Sequence, residues 1–255
     1  MFEVALILIL GWGAGVVVNY LADVLPVKRR LAAPFCLECQ AGQNAVRYFL
    51  WPRRCESCGR SRAFRTWIVE AAYIVTAFWL WNDPPQKLGF WLGLLILVYF
   101  GVVIVIDLEH RLILHPTSAI GALLGLGTGI WLHGLTATLL GGLAGFGGML
   151  GLYLFGILFV KLVSRGRSGG ESEALGFGDV ILSGVLGFFL GWPGIVVGLT
   201  FAIVLGGVAS LVYLLAMLVA RRYRSFAAIP YGPFLIAGAV FLLYFRDFLL
   251  AITQS

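Results

Sequence analysis

Apolar residues run along this chain in long blocks, and the polar residues gather into short breaks between them. LGFWLGLLILVYFGVVIVI (88–106) and GIVVGLTFAIVLGGVASLVYLLAMLVA (194–220) approach or exceed the ~20 residues an α-helix needs to cross a bilayer. The pattern predicts eight spans, over 2–22, 66–82, 88–107, 117–132, 135–160, 179–192, 194–219 and 228–245. The expected fold is therefore an all-α polytopic membrane protein. The first block resembles a signal peptide in length, but Glu3 stands where a basic n-region is required, so it is read as a retained span.

Composition agrees with this reading. The 255 residues are 60% hydrophobic and 12% charged, with a mean hydropathy of +0.97. A soluble domain carries about a quarter charged residues. Of the 18 Lys and Arg, 16 fall in one alternate set of breaks, while Lys87 and Arg246 alone occupy the other. The positive-inside rule places the basic loops in the cytosol and both termini outside. The net charge of +6 then follows from topology and from anionic lipid at the inner leaflet, with no nucleic acid as partner.

The longest polar break divides the chain into a first helix (1–26), a cytosolic module (27–65) and a membrane-embedded remainder (66–255). A second polar insert, SRGRSGGESEAL (164–175), is Gly/Ser-rich and is expected to be mobile. GGLAGFGGMLG (141–151) carries small residues at four-residue spacing, the pattern of a close helix–helix contact in a membrane. No longer repeat is evident.

All four cysteines lie in the module, as CLEC (Cys36, Cys39) and CESC (Cys55, Cys58). The spacing C-x2-C-x15-C-x2-C fits tetrahedral zinc held by four thiolates. Four thiolates leave no open coordination position, so the expected zinc is structural. Too little apolar surface accompanies it for the module to fold without metal. A pair of redox CxxC motifs is the competing reading.

Carboxylates within apolar spans are costly and by default point to function. Glu3 and Asp23 lie near the ends of the first span, where interfacial water can reach them. Glu70 lies one turn into the second and is expected to pair with Arg65 or another loop arginine. Glu109, His110 and Arg111 read as the start of a solvated loop. Asp107 closes the third span and Asp179 opens the sixth, so both fall at the cytosolic side. Two such carboxylates brought together cannot easily both ionise, and one then serves as base while the other serves as acid. Gly176 and Gly178 beside Asp179 would let a substrate backbone approach. Helix capping is the alternative for Asp179. It does not account for Asp107, where the helix dipole disfavours an anion.

GFGD (176–179) and IDLEHRLIL (106–114) resemble the two catalytic segments of the type IV prepilin peptidases, polytopic aspartic proteases of the GxGD kind. GVVVN (15–19), the paired CxxC motifs, RTWIVE (65–70) and IPYGPFLIAGA (229–239) are similar to further landmarks of that family, in the same order. The resemblance implies Asp107 and Asp179 as the catalytic pair. It also implies a bacterial inner-membrane enzyme that cuts the leader from pilin or pseudopilin precursors at the cytosolic face. Many relatives then methylate the new N-terminus with S-adenosylmethionine. Ile181 stands where many relatives have lysine, and His115-Pro116 where many have Pro-Asp; these departures bear on substrate choice and pH optimum. Two other classes compete: a proton- or cation-coupled transporter, whose carboxylates would more often lie at the midplane, and an inactive assembly subunit of the same fold.

Overall fold

The computed structural model describes residues 2–50, 52–163, 176–220 and 230–245. Among them the chain forms α1 (Phe2–Lys28), α2 (Ala45–Phe49), α3 (Arg65–Asn82), α4 (Gly89–His110) and α5 (His115–His133). It continues with α6 (Leu135–Val163), α7 (Phe177–Leu190), α8 (Gly194–Val219) and α9 (Gly232–Tyr244). The described residues form no β-strand, only two isolated bridges in the module. The insert 164–175 and the end of the break before α9 (221–229) lie outside the described residues.

A helix stands at each predicted span. Four of them, α1, α4, α6 over Leu135–Leu158 and α8, are long and apolar enough to cross a membrane. The apolar helices α7 and α9 have only 14 and 13 residues. At 1.5 Å per residue they reach about 20 Å, against a hydrocarbon core of ~30 Å. Helix α1 runs six residues beyond its predicted end and carries Pro26 within it. Ala22, Asp23, Val24 and Leu25 are all buried, so packing continues the helix through a sequence that reads as a terminus.

The chain packs as two units, Met1–His110 and Arg111–Ser255. In the first, α1 lies antiparallel on α3, and the contact descends in steps of one helical turn. A Cβ on Gly11 would sit 2.9 Å from Ile74 Cα, and one on Gly15 would sit 2.7 Å from Glu70 Cα. One turn further, Asn19 Nδ2 donates to the Thr66 carbonyl at 3.1 Å. Helices α1 and α3 each also pack on α4.

In the second unit α7 is the central helix, touched by α5, α6, α8 and α9. Its closest neighbour is α6, through the small-residue stretch that the sequence singled out. A Cβ on Gly141 would stand 2.4 Å from the Gly187 carbonyl oxygen, and one on Gly145 would stand 2.3 Å from that of Ser183. Backbones this close gain dispersion along the seam and have no room for a methyl group. Gly187→Leu is therefore expected to destabilise the protein by about 1–3 kcal/mol or more through overpacking. Gly147→Ala, at a position with nothing within 4 Å, should be neutral or slightly stabilising. Thermal unfolding of the two variants in detergent checks both.

Candidate functional site

The module is built from two copies of one small turn. In the first, Cys36 N–H donates to the Ala41 carbonyl, Gln40 N–H returns to Cys36, and Phe35 bridges Gly42. Nineteen residues on, Cys55 N–H donates to Arg60, Gly59 N–H returns to Cys55, and Arg54 bridges Ser61. The left-handed position also repeats, at Gln40 (φ 60°) and Gly59 (φ 70°). The stems repeat as well: Gln43 N–H donates to Pro34, and Arg62 N–H to Arg53. This repeat was not evident in the sequence, because apart from the cysteines it is carried by backbone geometry and not by residue identity.

The two turns bring the four sulfurs within 4.8 Å of one another. Cys36 and Cys58 are 3.7 Å apart, and Cys39 and Cys55 are 3.6 Å apart. Thiolates at ~2.3 Å from a tetrahedral metal would be separated by about 3.8 Å. These distances and the donor set fit a metal ion. Backbone N–H groups of Cys58 and Ser57 aim at the Cys55 sulfur and help bring its thiol down to about 6, while the Cys39 and Cys58 thiols beside it are pushed up. The thiolate is the form a metal requires.

Beneath the module, two carboxylates of the helices are buried and paired. Asp23 on α1 accepts hydrogen bonds from Tyr48 Oη and Arg62 Nη2, both at 2.5 Å, and from Arg65 Nη2. Burial and the adjacent Asp23 anion push the Tyr48 phenol up, so it stays a donor. The expectation that interfacial water solvates Asp23 is therefore replaced by a protein cage, with the residue only 4% exposed. Glu70 on α3 accepts from Trp12 Nε1 and Arg53 Nη2, each at 2.9 Å. Its partner is a loop arginine, but Arg53 and not Arg65, which instead joins Asp23 to Glu109. Asp23, Tyr48, Arg62 and Arg65 also line a cavity of about 190 Å³, together with Phe35 and Cys36. Arg53 and Arg62 were not distinguished from the other charges of the module, since nothing local in the sequence marks which arginine turns inward.

Asp107 belongs to the first unit and Asp179 to the second. Asp107 lies in the last turn of α4 and is 5% exposed. Asp179 lies in the first turn of α7 and is 8% exposed, and its N–H donates to the Gly176 carbonyl at 3.0 Å. Ser183, one turn along α7, donates its hydroxyl to the Asp179 carbonyl at 2.7 Å. The two glycines before Asp179 differ. A Cβ on Gly178 would stand 3.0 Å from Ile113, so this glycine fits the chain's own packing. At Gly176 the nearest atom is Asp179 Oδ2, at 3.7 Å from such a Cβ.

Residues 94–211, which include both Asp107 and Asp179, match the type IV leader peptidase family. Over this segment the chain is similar to that family. The prepilin leader peptidase/N-methyltransferase of Stutzerimonas stutzeri is 31% identical over 198 residues, 75% of this chain and 62% of the relative's length. The protein of the same name from Legionella pneumophila is 27% identical over 233 residues, 87% of this chain and 76% of the relative. That from Burkholderia pseudomallei K96243 is 32% identical over 123 residues, 48% of this chain and 35% of the relative. The chain thus spans less than two thirds of the Stutzerimonas and Burkholderia relatives. No solved structure matches the chain.

The Arg53–Glu70 pair is 6% and 4% exposed at its side chains. Removing one partner of such a pair costs about 3–5 kcal/mol, whereas removing both charges is far less harmful. Arg53→Met is therefore expected to lower stability by that order, and Arg53→Met with Glu70→Leu to recover most of the loss. Denaturation of the three proteins in one detergent decides it.

Proposed function

We propose that this protein is a membrane aspartic endopeptidase that removes the leader peptide of type IV prepilin-like precursors. The observation that carries the reading is the coincidence of the family match with two buried aspartates, each at a helix end. The names of the relatives support peptidase chemistry, and nothing favours a transporter.

In this reading Asp107 and Asp179 converge on the scissile bond and share one proton. The ionised carboxylate takes a proton from water as the water oxygen bonds to the peptide carbon. The protonated carboxyl donates to the carbonyl oxygen. Collapse of the tetrahedral intermediate then breaks the C–N bond, and the leaving amine receives a proton from the pair. Gly176, exposed and with only Asp179 Oδ2 (3.7 Å) and the Gly178 nitrogen (4.0 Å) within 4 Å of where a Cβ would stand, is the point where substrate backbone passes Asp179. The bundle has eight spans, with 66–255 as its proteolytic core. It sits in the bacterial inner membrane, with this site facing the cytosol, an orientation that the distribution of Lys and Arg supports.

The four-cysteine module (27–65) holds structural zinc. Cys36, Cys39, Cys55 and Cys58 fill its coordination sphere, and the ion supplies folding energy and not catalysis. Methylation of the new N-terminus, with S-adenosylmethionine as donor, rests on the relatives' names. Among the described residues no group of side chains marks a methyl-donor site.

Purified protein mixed with a pilin-like precursor tests the assignment. Asp107→Asn and Asp179→Asn should each lower cleavage by at least 10²–10⁴-fold, as for loss of a general acid or base. Normal cutting by both variants would overturn the dyad. Elemental analysis should find one zinc per chain, lost in Cys36→Ser and Cys55→Ser, and transfer of labelled methyl groups to the cleaved product reports the second activity.

A further inference from the structure

Arg53 and Arg62 join the cysteine module to both buried acids of the first unit. They face each other across the stem of the second turn, where Arg62 N–H donates to the Arg53 carbonyl at 3.2 Å. Cys55 and Cys58 lie at the tip of that same turn. From the shared stem the two side chains reach different helices, Arg53 to Glu70 on α3 and Arg62 to Asp23 on α1. Each is guided along its length. Arg53 donates to the Phe49 and Leu50 carbonyls and lies 4.6 Å over the Trp67 ring. Arg62 lies 4.0 Å over the Tyr48 ring and donates to its carbonyl and hydroxyl.

Both acids are buried, Asp23 being 4% and Glu70 3% exposed. The stem itself has little to hold it closed. It is joined by one bridge and two backbone hydrogen bonds, and the four clustered sulfurs would repel one another as thiolates. We infer that metal bound by the four cysteines acts as a latch: by closing the second turn it presents Arg53 and Arg62 together to Glu70 and Asp23, and so holds α1 against α3. The latch rests on the metal reading of the cysteines given above. Losing the ion would withdraw two guanidinium groups at once, leaving Asp23 with Tyr48 and Arg65 and Glu70 with Trp12 alone.

The test uses the full chain in detergent, loaded with Co²⁺, whose thiolate absorption reports the site independently of any activity. Hydrogen exchange in α1 and α3 is then followed by mass spectrometry before and after chelation. In the unaltered protein, chelation is expected to raise exchange across Gly15–Leu25 and Thr66–Tyr73 by about tenfold. In Arg53→Met/Arg62→Met the cobalt spectrum should persist while exchange is already raised, and chelation should add less than about twofold. In Asp23→Asn/Glu70→Gln chelation leaves no buried carboxylate without its arginine, so it should abolish the spectrum and raise exchange in α1 and α3 by less than about twofold. This second variant decides the matter should the arginine variant fail to fold. Unchanged exchange in the unaltered protein on chelation would overturn the latch, as would an equal rise in the unaltered protein and the acid-neutralised variant. A chain that takes up no cobalt would instead refute the metal reading itself.

Discussion

Placing carboxylates inside an apolar helical protein is the constraint on which the rest of this structure turns. Among the described residues Asp23, Glu70, Asp107 and Asp179 are all buried, and a buried anion without a partner costs several kcal/mol. The chain meets that cost differently in different places. Asp23 and Glu70 receive guanidinium groups from the module, Arg62 on Asp23 and Arg53 on Glu70 Oε2. Asp179 instead sits in the first turn of α7, where the helix dipole favours negative charge. Asp107 sits in the last turn of α4, where the dipole opposes it. The proposed catalytic pair is thus unequal by placement alone, as division into an acid and a base requires.

Close backbone contact complements this economy of charge. Asp179, Ser183 and Gly187 recur every fourth residue along α7, and the backbone of the latter two meets Gly145 and Gly141 of α6. With such a seam, the depth of Asp179 is fixed by rigid helix packing and not by a flexible side chain. Ser183 also turns its hydroxyl back to the Asp179 carbonyl one turn earlier, a local bond within the helix.

Much of this was legible in the sequence, and the reasons differ by element. Long apolar blocks predicted the helices, because burial in lipid or protein needs no alternation of polarity. They placed α7 two residues late, at 179–192 against the observed Phe177–Leu190, since its flanking Gly191 and Trp192 are as apolar as the helix itself. The cysteine spacing predicted a four-sulfur cluster because few other folds need that pattern. The inward arginines were hidden. Arg53, Arg54, Arg60 and Arg62 look alike in a basic loop, and only the left-handed turn at Arg53 and the stem it shares with Arg62 separate them. Asp23 was misjudged for the same reason: its solvation depends on a segment almost forty residues away.

The doubled turn of the module has a directional consequence. Its two halves superpose in backbone pattern, yet their stems carry different chemistry: Pro34 and Gln43 in one, Arg53 and Arg62 in the other. Gln43 turns its amide to the Cys55 sulfur, so the first stem serves the cysteine cluster while the second serves the helices. A near-symmetric clasp thereby acquires a front and a back, and it can seat on its acidic floor in one orientation only.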